Sequence, residues 1–275
     1  MGLKVAALAC ALLVSTPVSG GVAFLQASQV ADGSFAERGR AGYPQLTAWA
    51  TLGLRAAGAT PRARAGTIKY LVGHEAELTS ATDLAIVALA ETALGQSADR
   101  LLARLRELER PNGSVGGLVN GTAWGVLAFR AAGAPVSGRT IRWLLARQSR
   151  AGGWTWSGRG AADSNDTAAV VEALRAAGVG GRPVGRALRF LLSFRNRDGG
   201  FELTHGRGSD AQSTAWAIQA FVAAGKPPPA GALAYLKRLQ RSDGSFRYSA
   251  RYTTTAVWVT AQVLPALARK PFPLP

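Results

Sequence analysis

The sequence predicts an all-α protein, a closed α6/α6 toroid in which six helix–turn–helix repeats form a double ring. Two sequence patterns alternate along the chain, so that each repeat supplies one helix of each kind. The first pattern recurs six times, at separations of 35, 40, 45, 47 and 41 residues, as expected of repeats that stack on one another. Its first and last copies resemble the middle ones and carry no polar cap, which favours a closed ring over an open solenoid.

The first pattern predicts a helix of about three turns. In the clearest copies Thr and Ala precede a run of apolar residues, and Gly follows the Thr by 11 positions. We interpret the Thr as a cap for the backbone N–H groups that open the helix, and the Gly as its end in the left-handed conformation. The six Thr are Thr47, Thr82, Thr122, Thr167, Thr214 and Thr255.

The second pattern predicts another helix, which ends at a glycine turn. An aromatic residue and Leu lead to a polar residue, and an aromatic residue six positions later closes the turn. The clear pairs are Gln29 with Phe35, Gln148 with Trp154, Arg195 with Phe201, and Gln240 with Phe246. Glu109 to Val115 is a weaker copy, and the stretch around Tyr70 lacks the glycine turn. Six repeats therefore give about twelve helices.

The first 20 residues have the composition of a secretory signal peptide. Lys4 precedes an apolar run from Val5 to Val14, and small residues follow. The run is too short to span a bilayer as a stable helix. We therefore predict a signal peptide over residues 1–20, a toroid domain over 21–275 whose first helix begins just after Gly20, and a secreted, cell-envelope or periplasmic location. A lipoprotein signal ending at Cys10 is an alternative.

Composition excludes several kinds of chemistry. Cys10 is the single cysteine, so the mature chain would have no thiol for a zinc site, a thioester or a nucleophile. The net charge of +16 is compatible with an anionic membrane surface, but the 27 Arg and 5 Lys form no block. No nucleic-acid-binding pattern is present. We expect no metal, no cofactor and no nucleic-acid partner, and the oligomeric state is open.

The aromatic-Leu-Leu-x-x-Gln segment followed by Gly-x-aromatic resembles the QW motif of the prenyltransferase and squalene-oxidase repeat family. The copy from Trp143 through Gln148 to Trp154 illustrates it. This family includes terpene cyclases and the β subunits of protein prenyltransferases, and the resemblance implies their α/α toroid. Corrin-binding transport proteins have a similar barrel. The ligands that the resemblance implies are therefore isoprenoid lipids or corrin-like molecules.

The resemblance also points to one candidate catalytic segment. Class II terpene cyclases use an Asp-x-Asp-Asp-Thr-Ala motif whose central Asp donates a proton, and residues 163–168 match it except that Asn165 stands at the position of the acid. An amide has no acidic proton to donate. Asp163 and Asp166 remain candidate catalytic residues. Because Asp210 precedes Thr214 in the same way one repeat later, a recurring helix cap is the alternative interpretation.

Four tryptophans form the candidate ligand-binding set, together with Asp210. Trp49, Trp124 and Trp216 occupy the same place in three repeats, and Trp258 lies one position later in the sixth. If this place faces the centre of the ring, the indoles would line a cavity suited to an apolar ligand. If it faces the outer helices, they are core residues, and the periodicity leaves both possibilities open.

We therefore expect an exported toroid that binds a bulky apolar small molecule without chemistry of its own. The first alternative is a terpene cyclase-like isomerase that uses Asp163 or Asp166. The second is an interaction protein that presents a basic rim to anionic lipid or to a protein partner. The mature chain has only His74 and His205 as histidines and no cysteine, which argues against the zinc site of the protein prenyltransferases.

Overall fold

A computed structural model describes residues 16–274 and confirms the predicted all-α class. Within this range the chain forms one short 3-10 helix at Glu75–Glu77 and no β-strand longer than an isolated bridge. None of the described helices combines the length and apolarity needed to cross a bilayer. The α-helices are α1 (Pro17–Ala27), α2 (Pro44–Ala56), α3 (Arg64–Gly73), α4 (Ala81–Ala93), α5 (Asp99–Glu107), α6 (Val119–Ala131), α7 (Gly138–Leu145), α8 (Ser164–Ala176), α9 (Arg182–Leu192), α10 (Ala211–Ala223), α11 (Ala232–Arg238) and α12 (Ala256–Ala268).

The even-numbered helices form the inner ring of a closed toroid. Each packs against the next even-numbered helix, and α12 packs against α2, which closes the ring. The odd-numbered helices lie outside and contact the inner helices. The inner helices have 13 residues each and are buried along most of their length, whereas the outer helices α5, α7 and α9 bury one apolar face. The predicted closed α6/α6 toroid is therefore confirmed.

The repeated Thr does not cap the inner helices, so this part of the prediction is wrong. Helix α2, for example, starts three residues before Thr47. The hydroxyl of Thr47 instead accepts a hydrogen bond from the backbone N–H of Phe35, the residue that closes the preceding turn. In five of the six repeats this bond joins the turn to its own inner helix, whereas Thr82 of the second repeat bonds to Asn120 instead. The pairs are Phe35 N to Thr47 Oγ1 at 3.0 Å, Val115 N to Thr122 at 2.9 Å, Trp154 N to Thr167 at 2.9 Å, Phe201 N to Thr214 at 2.9 Å and Phe246 N to Thr260 at 3.0 Å.

The sixth repeat is therefore out of register with the prediction. Thr260, five residues after Thr255, makes the bond that the repeated Thr makes elsewhere. Trp258 consequently stands two residues before this Thr, whereas Trp49 stands two residues after its own. Gln262 occupies the place that corresponds to Trp49.

The Gln of the second pattern links successive outer helices. Its amide donates both to a carbonyl of its own turn and to an oxygen of the next outer segment. The bonds run from Gln29 Nε2 to Gly33 O (3.1 Å) and Thr67 Oγ1 (2.7 Å), from Gln148 Nε2 to Gly152 O (2.8 Å) and Pro183 O (2.9 Å), and from Gln240 Nε2 to Gly244 O (3.1 Å) and Pro17 O (2.9 Å). The last pair connects the turn after α11, the last outer helix, to the start of α1, the first. Gly244 has a φ of 88°, and a Cβ there would collide with the carbonyl of Gly20.

Helix α1 begins four residues earlier than predicted. Thr16 is its N-cap and accepts a hydrogen bond from the backbone N–H of Ser19, and Pro17 is its first residue. Gly20 lies inside the helix and contacts the Gln240 turn. Most of the predicted signal peptide, including Cys10, lies outside the described residues, so the signal peptide and export stay predictions.

Several arginines donate to backbone carbonyls of neighbouring repeats, which is one structural use of the basic composition. Arg130 Nε bonds to the carbonyl of Ala176 at the end of α8 (3.0 Å), and Arg175 Nε bonds to that of Ala223 at the end of α10 (3.2 Å). A cation at a helix C-terminus is favourable because the last carbonyls carry partial negative charge. These arginines therefore contribute to packing between inner helices.

Candidate ligand-binding cavity

A cavity of about 500 Å³ opens at the N-terminal ends of the inner helices. Its volume lies within the range of small-molecule sites in proteins. Most of its lining comes from the first two turns of α2, α4, α6, α8, α10 and α12, and the loops before α8 and α10 complete it. Among residues 16–274, no group of three or more His, Cys, Asp or Glu side chains is arranged to hold a metal ion.

Three tryptophans meet at the centre of the ring and form the bottom of this cavity, which we call the Trp floor. The ring centroids of Trp49, Trp124 and Trp216 lie 5.3 to 5.8 Å apart, with interplanar angles of 80° to 89°. This is the edge-to-face geometry that aromatic pairs favour. The three side chains therefore face the centre of the ring, which is the first of the two alternatives that the sequence left open, and they pack on one another there.

The C-terminal tail fills the centre of the ring below the Trp floor. The ring of Phe272 lies 6.0 Å from that of Trp49, 5.9 Å from that of Trp124 and 6.2 Å from that of Trp216, and Phe272 is 2% exposed. Its backbone N–H donates to Glu172 Oε2 at 2.6 Å. Burial raises the pKa of the Glu172 carboxyl to about 8. The sequence contained no pattern that pointed to this tail as a core element.

Ala169 leaves space above one side of the Trp floor. It stands two residues after Thr167, in the place that Trp49, Trp124 and Trp216 occupy in their own repeats. Ala169 lines the cavity, as does Asn165 one turn before it on α8. The absence of an indole at this position is one reason why the cavity extends toward α8.

A chain of hydrogen bonds crosses three inner helices along one side of the cavity. Thr82 Oγ1 on α4 donates to Asn120 Oδ1 on α6 at 2.8 Å, and Asn120 Nδ2 donates to Asp166 Oδ1 on α8 at 2.8 Å. Burial, followed by the negative charge of Asp163, raises the pKa of Asp166 to about 7. The sequence analysis missed both as site residues, because it assigned Thr82 only to the repeated helix-start pattern and Asn120 belongs to no motif.

The structure brings some of the predicted site residues together and separates others. Asp163, Asn165 and Asp166 line the cavity with the three floor tryptophans, and Trp258 lies at its edge. Asp163 is also the N-cap of α8, where its Oδ1 accepts the Asp166 N–H at 2.8 Å. Asp210 does not line the cavity. It caps α10, accepts hydrogen bonds from the backbone N–H and the hydroxyl of Ser213, and borders a neighbouring groove.

Trp156 forms part of the cavity rim. Its side chain lines the opening, the residue is 57% exposed, and its carbonyl accepts the Asn120 N–H at 3.1 Å. Trp154, two positions earlier, is completely buried and donates its indole N–H to Leu144 O at 2.8 Å. No sequence pattern distinguishes the buried Trp154 from the exposed Trp156.

Comparison with known proteins gives the fold and not the family. No family model matches the chain, and no curated protein sequence matches it. A protein from Actinoplanes is similar in structure, with a TM-score of 0.71 and 22% identity over 92% of this chain and 98% of that one. The type II terpene cyclase MstE from Scytonema has a TM-score of 0.69 and 17% identity over 92% and 96% of the two chains. An aspartate-to-asparagine variant of MstE has been solved with geranylgeranyl dihydroxybenzoate as substrate.

A polysaccharide lyase also matches, with a TM-score of 0.61 and 12% identity over 93% of this chain and 97% of that one. Proteins of one fold can carry unrelated chemistry, so identities at this level establish architecture alone. The chain therefore has the α/α toroid fold that is found in type II terpene cyclases.

Proposed function

We propose that the protein binds a bulky apolar molecule of the isoprenoid class in the cavity above the Trp floor, and that it does so without starting cyclisation. The observation that carries this proposal is the Trp floor itself, three indoles that meet beneath an open cavity of about 500 Å³. Aromatic faces and edges offer a large apolar contact area. The geranylgeranyl substrate of MstE, which has a similar fold, supports an isoprenoid over a corrin-like ligand.

The acid groups of the cavity favour binding over cyclisation. Protonation of an alkene requires a strong acid, and the amide of Asn165 supplies none. Asp166 is the buried carboxyl beside it, but a pKa of about 7 makes this group a weak proton donor. Its Oδ1 is already engaged by the Asn120 amide.

Filling the cavity is the direct test of binding. Ala169→Phe would place a ring in the space above the Trp floor, so we expect it to abolish binding of geranylgeraniol measured by tryptophan fluorescence and calorimetry. Ala103→Phe, at an exposed position of the outer helix α5, is the matched control and should bind like the wild type. Circular dichroism checks that both variants are folded. Wild-type affinity in Ala169→Phe would contradict the proposed site.

A cyclase-like enzyme is the second candidate function, and Asp166 is the observation that favours it. The carboxyl lines the cavity and, with a pKa of about 7, is about half protonated at neutral pH. Cyclisation leaves the mass unchanged, so squalene and geranylgeraniol recovered after incubation must be compared by chromatographic retention. The binding proposal predicts unchanged ligand. A rearranged product that disappears in a folded Asp166→Asn variant would establish the enzyme instead.

Export belongs to the same proposal, with processing placed before Thr16. Cleavage after Gly20 would remove the first turn of α1 and the Pro17 carbonyl that accepts the Gln240 amide. The expected result is that protein recovered from the medium or the cell envelope begins at or before Thr16, as read by N-terminal sequencing. An unprocessed chain confined to the cytoplasm would refute export.

A further inference from the structure

We propose that the ligand has an anionic head and that Arg207 binds this head at the edge of the cavity. The inference rests on the proposed function, because it assigns the chemistry of the same ligand. It follows from how a second groove adjoins the cavity and from the distribution of charge around the opening.

The second groove adjoins the cavity at Trp258, which lines both. Its volume is about 480 Å³, and Tyr43, Tyr248 and Arg207 lie along it. Arg207 and Tyr248 also border a third groove, of about 730 Å³, which Asp198 and Asp210 line as well. Trp258 therefore stands between the Trp floor and the groove that Arg207 lines, so an elongated molecule on the Trp floor would reach the guanidinium by passing Trp258.

The charged side chains that line the cavity and the second groove are segregated, and the nearby carboxylate of Glu37 is engaged by the backbone N–H groups of Val257 and Trp258. Asp83, Asp163 and Asp166 line the cavity on the α4 and α8 side. Arg207, in the loop before α10, is the one charged residue among those that line the second groove. An anionic head would be repelled by the carboxylates and attracted by the guanidinium, so the charges favour a single orientation of the ligand.

Arg207 is available for an anion. No ion pair joins its guanidinium to a carboxylate among residues 16–274. The charge of Arg207 acts on Asp210, but both oxygens of that carboxyl already accept hydrogen bonds from Ser213, Oδ1 from its N–H and Oδ2 from its hydroxyl. Tyr248 lines the same groove; burial and the charge of Asp210 raise the pKa of its hydroxyl, and Arg207 opposes this shift.

This arrangement suits a carboxylate or a phosphate. The guanidinium presents several N–H donors in a planar fork that matches both groups. Because Arg207 is exposed, water and salt screen its charge, so its contribution to affinity is moderate and declines at high ionic strength.

Three ligands that share the geranylgeranyl chain and differ in their head group distinguish binding of the head from binding of the chain. Geranylgeraniol is neutral, geranylgeranoic acid carries a carboxylate, and geranylgeranyl phosphate carries a phosphate. We expect the wild type to bind at least one of the two anions about three- to tenfold more tightly than the alcohol at low salt, with a smaller preference at high salt. Arg207→Gln should remove this preference. Arg159→Gln, at an exposed arginine of the loop before α8, is the matched control and should keep it.

The possible outcomes distinguish the two proposals. Failure of all three ligands to bind would overturn both the proposed function and this inference. Binding of the alcohol with no gain for either anion, or a preference for an anion that persists in Arg207→Gln, would overturn this inference alone. A gain confined to the acid or to the phosphate would identify the head.

Discussion

The buried carboxyl of Glu172, which holds the C-terminal tail at Phe272, makes the stability of the protein depend on pH, and this dependence can be tested. Glu172 is completely buried, Oε2 accepts the N–H of Phe272 at 2.6 Å, and Oε1 has no hydrogen-bond partner among the described residues. Burial raises the pKa of this group from 4.5 to about 8. The perturbation is Glu172→Gln, which keeps an acceptor for Phe272 and removes the titration.

The sign follows from proton binding in the two states. Between pH 4.5 and about 8 the folded protein keeps the Glu172 proton, whereas the unfolded chain has released it. The unfolded state binds fewer protons, so the free energy of unfolding falls as the pH rises, by about 1.4 kcal/mol per pH unit. The contribution of Glu172 is complete below pH 4.5, about 2 to 3 kcal/mol of it is lost between pH 5.5 and 7.5, and about 4 to 5 kcal/mol is lost by the time the pH passes 8.

Urea denaturation followed by circular dichroism at pH 5.5, 6.5 and 7.5 measures this loss. Asp166 and Glu91, whose pKa values burial raises to about 7, add a fall of the same sign in every variant and cancel in the comparison. We expect Glu172→Gln to lose about 2 to 3 kcal/mol less than the wild type over this interval. Glu77→Gln, whose side chain is 65% exposed, should behave like the wild type. Equal losses in the wild type and Glu172→Gln would refute the reasoning.

Three substitutions test the packing and the hydrogen bonds that define the toroid. Phe272→Ala removes the ring that packs on the Trp floor and should lower the free energy of unfolding by about 3 to 5 kcal/mol, whereas a loss under about 1 kcal/mol would mean that the tail is not part of the core. Gln148→Ala removes one hydrogen bond within its own turn and one to the next outer segment and should cost about 1 to 3 kcal/mol in urea denaturation, and Gln96→Ala, which removes only a long bond to the neighbouring Gly95 carbonyl, should cost far less. Thr167→Val leaves the buried N–H of Trp154 without its acceptor and should also cost about 1 to 3 kcal/mol in thermal denaturation, and wild-type stability would show that this bond is dispensable.

The candidate site was predictable in part. The sequence identified Asp163, Asn165 and Asp166 as one segment at the start of an inner helix, because neighbours in sequence stay neighbours on a helix. The partners of Asp166 were not predictable, since Asn120 lies 46 residues away and Thr82 a further 38. The sixth repeat was misaligned because Thr255 has the spacing of a repeat start, while the hydrogen bond to the turn is made by Thr260.

The sequence by itself determined the all-α class, the six repeats, the equivalence of Trp49, Trp124 and Trp216, and the amide at Asn165, because periodicity and residue type are local properties of the chain. Only the tertiary structure decided that these tryptophans, separated by 75 and 92 residues, meet at one point with Phe272 beneath them. The physical reason is that the direction in which a helix face points depends on which helices pack around it. In this protein the packing of α12 against α2 closes the ring and turns these faces toward its centre.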